Sequence, residues 1–330
     1  MPRVIFPLVN GIRLSNLGSF QDLLNMANIQ WRKVHNNQDV AFQWYTASPD
    51  GKAIKVATGI SIQPDYALDD CPPADVVVIP ACTYTNKQHW PDTLASYEPL
   101  YPWLRSRFQR NHLVLSHCTG VFLVAEAGLL DGKAATTAWW LEETFRTRYP
   151  DIELAIEQLV VESGRLLTGA AGNSDQLLAL KLITRYMGPQ ISSQVSKLLL
   201  VDINRVEQTP FLTLQQQLEH SDTLVADAQT WLQNNLREPA AVSHLPEALN
   251  VSARTLIRHF SHALGETPNR YLQNLRIDTA KRLLESSNQS VETVMSQVGY
   301  TDLSSFSRLF QRKTGLTPRA YRQRFHIRQQ

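Results

Sequence analysis

Nowhere among the 330 residues does an uninterrupted apolar run approach the ~20 residues that cross a bilayer, so no membrane partner is expected. Cysteine is scarce. There are three, Cys71, Cys82 and Cys118, and an odd number in a large chain argues against a disulfide framework and fits a reducing compartment. The N-terminus has one early Arg and a short apolar run but no proper h-region or cleavage site, and reads as a first core strand rather than a signal peptide. A cytoplasmic location is the expectation. No His or carboxylate stands at ligand spacing from His89, so neither a metal nor a cofactor is expected. Net charge is also small, +2, with 43% hydrophobic and 19% charged residues, ordinary values for a globular protein long enough for two domains.

That small net charge conceals a split. Residues 222–330 carry 14 Lys+Arg against 9 Asp+Glu, whereas residues 1–221 carry 18 against 21. A basic module on a mildly acidic body is one footprint of nucleic-acid binding, and also a pattern that a solvated surface produces. The basic module contains a repeat. Residues 252–271 align with residues 302–321 at an offset of 50 without a gap, and six pairs are identical: Arg258/Arg308, Phe260/Phe310, Gly265/Gly315, Thr267/Thr317, Pro268/Pro318 and Tyr271/Tyr321. Self-similarity at a fixed period means one supersecondary unit used twice.

Helical patterns fill the module. They cover about 224–235, 242–249, 252–264, 268–284, 290–298 and 302–314, with a last helix opening at Pro318. Ser252 and Asp302 are suited to N-caps, and Gly265 and Gly315 to left-handed helix ends. A helix, a tight turn and a second capped helix make a helix-turn-helix, whose second helix is expected in the major groove of double-stranded DNA. In the first copy Leu256, Phe260 and Leu264 form the inward stripe, leaving Arg254, Ile257, Arg258 and Ser261 outward with Thr255 beside them. In the second, Phe306 and Phe310 point inward and Ser304, Ser307, Arg308 and Gln311 outward. Arg bonds guanine bidentately, and an exposed Ile257 suits a thymine methyl. Arg312 and Lys313 are expected at phosphates. Any single Arg here also fits a solvated surface charge. The module resembles the AraC/XylS DNA-binding domain over its full length, through Gly299-Tyr300, Ser305-Phe306-Ser307-Arg308, Phe310, Gly315, Thr317-Pro318 and Tyr321-Arg322. The resemblance implies two recognition helices in successive major-groove segments, joined by the long helix from Pro268.

Upstream, short apolar runs alternate with helical patterns. Strands are expected at 4–9, 40–47, 75–80 and 113–116, and helices at 19–31, 99–111, 120–127 and 173–186. This alternation predicts an α/β doubly wound, flavodoxin-like sheet, with ligands outside the carboxyl ends of its strands. One place stands out. Leu113–Ser116 is a buried strand, followed by His117-Cys118-Thr119-Gly120 and a helix. A cysteine there is either a nucleophile on a strained elbow or a small buried residue at a tight turn. The segment from Ser116 to Gly132, with Ala135-Thr136-Thr137, resembles the class I glutamine-amidotransferase-like fold of the PfpI group, and more closely the sensor half of GlxA-type regulators.

The family's enzymes pair the elbow Cys with a His and an acid. Ala138 occupies the His position here, Asn16 the acid position, and Ala81-Cys82 stands where Gly-Gly often supplies oxyanion amides. No catalytic residue is therefore expected, since a thiol without base, orienting acid or anion pocket lacks most of what nucleophilic catalysis needs. A pocket remains, with Cys118, Cys82, Thr119 and Trp139 as candidate ligand contacts. The domains expected are a sensor body (1–205), a linker (206–222, with a helical stretch at 212–220) and a DNA reader (223–328). The expected function is a DNA-binding transcriptional regulator, not an enzyme, that senses a small metabolite and works as a homodimer; the resemblance implies a nitrogen-containing one. The alternatives are a cysteine-dependent hydrolase or amidase with a DNA-binding tail, and an architectural DNA-binding protein.

Overall fold

A computed structural model describes residues 2–35, 42–203, 207–211, 222–238 and 240–326. The helical stretch expected at 212–220 lies outside them. The chain divides into two compact units, Met1–Gln208 and Thr209–Gln330.

The first unit is built on a seven-stranded sheet. In chain order its strands are β1 (Arg3–Pro7), β2 (Gln43–Ser48), β3 (Tyr66–Ala67), β4 (Val76–Ile79), β5 (Leu113–His117), β6 (Val160–Ser163) and β7 (Leu166–Gly169), in spatial order β6-β7-β5-β4-β1-β2-β3. All pairings are parallel except β6 with β7 at the edge. Sequence and burial agree here: β4, β5 and β7 are buried at every residue, as strands covered on both faces must be. The helices are α1 (Leu14–His35), α2 (Trp90–Ala95), α3 (Leu100–Gln109), α4 (Gly120–Glu126), α5 (Glu142–Arg148) and α6 (Ser174–Leu198).

Helix α1 begins five residues before the sequence pattern predicts and packs against α6. Its buried Asn28 exchanges two hydrogen bonds with the Phe42 backbone, at 2.7 and 2.9 Å, so its polar group costs little despite burial. Helix α6 is two segments, because non-helical angles at Gly188 precede Pro189, whose ring and missing N–H break the ladder. The chain leaves β1 toward β2 and β3, then returns to build β4, β5 and β7 on the other side. The reversal lies between β1 and β4, and the loops there are tied together. Arg13 N–H donates to the Ala81 carbonyl (2.8 Å) and Thr83 N–H to the Gly11 carbonyl (2.8 Å). Ligand crevices of open α/β sheets form at such a reversal.

The second unit is helical: α7 (Thr223–Asn234), α8 (Ala241–Ala248), α9 (Ala253–Leu264), α10 (Pro268–Ser286), α11 (Val291–Gln297), α12 (Leu303–Thr314) and α13 (Pro318–Phe325). The expected caps are present. Ser252 accepts from Thr255 N–H and Asp302 from Ser305 N–H, and α9 and α12 each end on a left-handed glycine, Gly265 and Gly315. Two apolar clusters form. Leu256, Phe260 and Tyr271 belong to one, and Phe306, Phe310 and Tyr321 to the other. Helix α10 serves both, giving Leu272 and Leu275 to the first and Ile277, Ala280 and Leu284 to the second.

Because the clusters are distinct, damage to one should stay local. Phe310→Ala is expected to cost about 3–5 kcal/mol in the second cluster. Hydrogen exchange on the full chain should then show lost protection in α11–α13 with α9 still protected. Equal loss in both would contradict separate cores.

Candidate functional site

Strand β5 runs directly into Cys118, whose backbone is left-handed (φ 53°). A side chain in that region costs of order 1–3 kcal/mol and persists only when its surroundings impose it. They do. Cys118 N–H donates to the carbonyls of Gly169 (2.8 Å) and Ala170 (3.1 Å), and its own carbonyl accepts from Thr137 Oγ1 (2.7 Å). The next turn admits only glycine, since a Cβ on Gly120 would stand 2.7 Å from the Pro80 carbonyl oxygen. The elbow expected from Ser-His-Cys-Thr-Gly is thus formed.

Its chemistry is muted. Cys118 is buried, and burial raises its thiol pKa above the usual value despite the Thr119 amide and the Arg13 charge, which lower it. Cys82 is wholly buried as well. Thr119 Oγ1 donates to its carbonyl (2.6 Å) and accepts from its N–H (2.8 Å). Burial pushes the Cys82 thiol up to about 12. The amide that would serve as an oxyanion donor is therefore already engaged. As a ligand contact, Cys82 has no exposed surface to offer. Ala138 is fully buried, and Trp139 and Trp140 are both half-buried, edge-on to one another at 5.6 Å between ring centres. Neither tryptophan is plain core.

A carboxylate is nonetheless present. Asp175, in the first turn of α6, is buried, and burial raises its pKa against the hydrogen bonds of Asn16 and Ser19. Its charge acts on the Cys118 thiol. Sequence reasoning missed it because Asp175 lies far along the chain from Asn16. The one available signal was its place just after a strand-to-helix turn. His117 is buried with neither ring nitrogen hydrogen-bonded, and burial, with the Arg13 charge adding, lowers its pKa to about 4. Two further features border this unit. Gln208 is buried, and its side-chain amide donates to the carbonyls of Thr137 (3.0 Å) and Ile156. A cavity of about 810 Å³ lies at the β6 edge under α6, lined by Leu159, Leu167, Leu177, Leu180 and Ile203 among others. Among the described residues, no group of three His, Cys, Asp or Glu can hold a metal, and no helix is long and apolar enough to cross a membrane.

In the second unit the outward stripes are where the periodicity put them. Arg254, Ile257, Arg258 and Ser261 are exposed on α9, with Ile257 48% exposed despite being apolar. Ser304, Arg308, Gln311 and Arg312 are exposed on α12, and Ser307 is half-buried. Thr255 is half-buried, its hydroxyl 2.9 Å from Ser252 Oγ in the cap. Lys313 is half-buried, with the charges of Arg270, Glu266 and Arg312 acting on it, and Arg312 beside it is exposed.

Comparison with known proteins accords with both halves. The model of the DJ-1/PfpI family matches residues 3–185, more than half of the chain. The chain belongs to the DJ-1/PfpI family. A helix-turn-helix domain model matches residues 245–324, so the DJ-1/PfpI body is joined to an AraC-type reader. The transcriptional regulator GbdR of Pseudomonas aeruginosa is 27% identical over 96% of this chain and 83% of its own. CdhR of the same species, also an HTH-type transcriptional regulator, is 28% identical over 84% of this chain and 80% of its own. The crystal structure of an AraC family transcriptional regulator from Pseudomonas putida superposes with a TM-score of 0.51 at 18% identity, over 60% of this chain and all of that one, which supports the fold. These curated relatives are regulators, not enzymes, and the chain has the composition of a DNA-binding regulator with a sensor-type DJ-1/PfpI body.

The buried His117 gives this body an acid limit. Its folded pKa of about 4 lies below the usual 6.5 of a histidine, so the unfolded chain binds the extra proton first. Stability is full above about pH 6.5 and falls toward pH 4, by about 3 kcal/mol for this group. His117→Leu should flatten the fall in melting temperature across that window. An unchanged slope would assign acid sensitivity elsewhere.

Proposed function

We propose that the chain is a cytoplasmic, homodimeric regulator whose body binds a small metabolite and whose reader recognises duplex DNA through α9 and α12. The observation that carries the DNA half is the doubled helix-turn-helix. Arg258 and Arg308 stand at one register of two equivalent helices, both exposed and both beside exposed polar neighbours. Arg254, Thr255, Ile257, Arg258, Ser304, Ser307 and Arg308 then form the base-reading set, with Arg312 at the backbone. Gel-shift titration tests this. Arg258→Ala and Arg308→Ala should each lose discrimination of about 1–3 kcal/mol between specific and mutated sites. Both variants discriminating as well as the wild type would put the reading face elsewhere.

The sensing half rests on the reversal between β1 and β4. There His117, with neither ring nitrogen hydrogen-bonded, the buried Asp175 carboxyl and the exposed Arg13 act about the Cys118 elbow. Trp139, half-buried two residues beyond the Thr137 that holds the elbow carbonyl, supplies an aromatic wall in this reading, and charges of both signs beside it suit a small nitrogen-containing metabolite. Gln208 supports a route out of the body, since it bonds the Thr137 carbonyl while Thr137 holds the elbow carbonyl. The cavity of about 810 Å³ is a second seat, favoured by its volume, which falls in the range of ligand pockets.

Thermal-shift screening of the full chain against amino-acid derivatives and quaternary amines should find a stabilising compound, because ligand binding raises the melting point by mass action. Cys118→Ala is expected to weaken that shift. Leu177→Trp should weaken it instead if the larger cavity is the seat. Amidase or hydrolase turnover that disappears in Cys118→Ala would overturn the sensor reading.

A further inference from the structure

Two reading helices register on DNA together only if the angle and distance between their supports are fixed. The two apolar clusters that carry α9 and α12 are distinct and have α10 in common. Along α10 the allegiance changes within three residues. Leu275 belongs to the first cluster, Ile277 to the second, and between them stands Arg276, 7% exposed.

Arg276 reaches into the junction, where Leu236 packs against both clusters and Tyr300 against the second. Its Nε donates to the Leu236 carbonyl (3.0 Å) and an Nη to the Glu238 carbonyl (2.6 Å), both in the loop between α7 and α8. The same guanidinium lies over the Tyr300 ring, 5.3 Å from its centre, in the turn between α11 and α12. Tyr300 in turn packs on Phe306 of the second cluster, at 5.5 Å. One side chain therefore grips the loop that leads into the first helix-turn-helix and the turn inside the second.

The backbone at this point leaves no slack. Gly299 has φ 79°, and a Cβ there would stand 2.8 Å from Arg276 Nη2, 2.9 Å from the Leu236 carbonyl oxygen and 3.0 Å from that of Arg237. The turn of the second reader rests directly on the Leu236 carbonyl that Arg276 satisfies, and on the neighbouring carbonyl of Arg237. Beside it opens a cleft of about 400 Å³, lined by Gln233, Leu236, Glu238, Thr279, Leu283 and Gln297, so apolar packing does not fill the rest of the junction. Lysine would substitute only in part, because it keeps the charge but lacks the planar fork that meets two carbonyls while stacking on a ring.

We infer that Arg276 is a positioning residue for DNA recognition, a staple that sets the separation of the two recognition helices and hence the spacing of the half-sites that one chain reads. It touches no DNA itself. This rests on the reading of α9 and α12 as recognition helices, and its test separates the two.

The test is in vitro selection by the full chain from randomised duplexes of roughly 30 base pairs, three turns of B-DNA. The wild type should enrich two half-motifs at one fixed spacing. Arg276→Met should enrich the same half-motifs with spacing spread over several base pairs. Its affinity for the wild-type tandem site should fall about tenfold as the effective concentration of the second reader drops, while a single half-site is bound as before. Arg276→Lys should fall between the two. Circular dichroism melting monitors folding. If Arg276→Met does not fold, Tyr300→Leu, which keeps an apolar contact to Phe306 but removes the ring, should broaden the spacing in the same way. Sharp wild-type spacing in the folded variants would overturn the staple. So would loss of the half-motifs themselves in a variant that melts normally. A wild-type chain that enriches no motif would instead refute the recognition-helix reading.

Discussion

The turn after β5 holds the body to its shape. Gly120 presses on the Pro80 carbonyl, so α4 can start only where no side chain intervenes, and Cys118 is left in a left-handed conformation by the donors and acceptors around it. Much else follows from that contact. It brings the end of β5 beside the end of β4, closes Thr119 onto both polar groups of Cys82, and turns the Cys118 carbonyl toward Thr137. In an enzyme, such strain would present a thiolate. Here burial keeps the thiol protonated, the Cys82 amide is occupied, and Ala138 supplies no base. The geometry survives without its usual chemistry.

In the reader the corresponding constraint is the sharing of α10. Two three-helix clusters, each too small to be robust alone, gain a common support, and each end of α10 is fixed by packing: Tyr271 edge-on to Phe260 at 5.7 Å in the first cluster, and the aliphatic Leu284 within the second. A common helix transmits position but resists twisting poorly over its length, and the polar clasp at Arg276 sits where the two clusters meet. The energetic logic is that of a buried polar network. A guanidinium removed from water is costly unless its donors are matched, and matched donors specify one arrangement.

Much of this was legible in the sequence, and what was not has a physical reason. The apolar runs of β4 and β5, the caps Ser252 and Asp302, and the paired glycines are local signals, and local signals survive folding. Helix α1 begins earlier than its pattern because its first turn is fixed by the bond from Arg13 N–H to the Ala81 carbonyl, a partner distant in sequence. Asp175 could not be matched to Asn16 for the same reason. The junction contacts of Arg276 and the half-burial of Lys313 are not legible in the sequence, because periodicity gives the face of a helix but not what covers it. Both are long basic side chains, whose stems reach far enough that the position of Cα does not decide where the charge ends.

One consequence concerns how a body without catalytic partners can still inform a reader. The elbow carbonyl is held by Thr137 Oγ1, the Thr137 carbonyl is held by the amide of Gln208, and Gln208 N–H is held by the Glu157 carbonyl. Gln208 is the last residue of the body. Under the proposed sensing, a ligand that shifts the strained elbow would alter the first of these bonds, and the other two would carry the change because each buried donor must keep an acceptor or incur a desolvation cost of about 1–3 kcal/mol. Strain at Cys118 would make that response larger than a relaxed turn gives, since the elbow already lies above its minimum and small changes in its contacts reweight its conformations. Under the proposed sensing, such an elbow is a suitable origin for a binding signal. Among the described residues of the body, Asn111, Cys118 and Leu200 are the left-handed non-glycines, and of these Cys118 alone is buried.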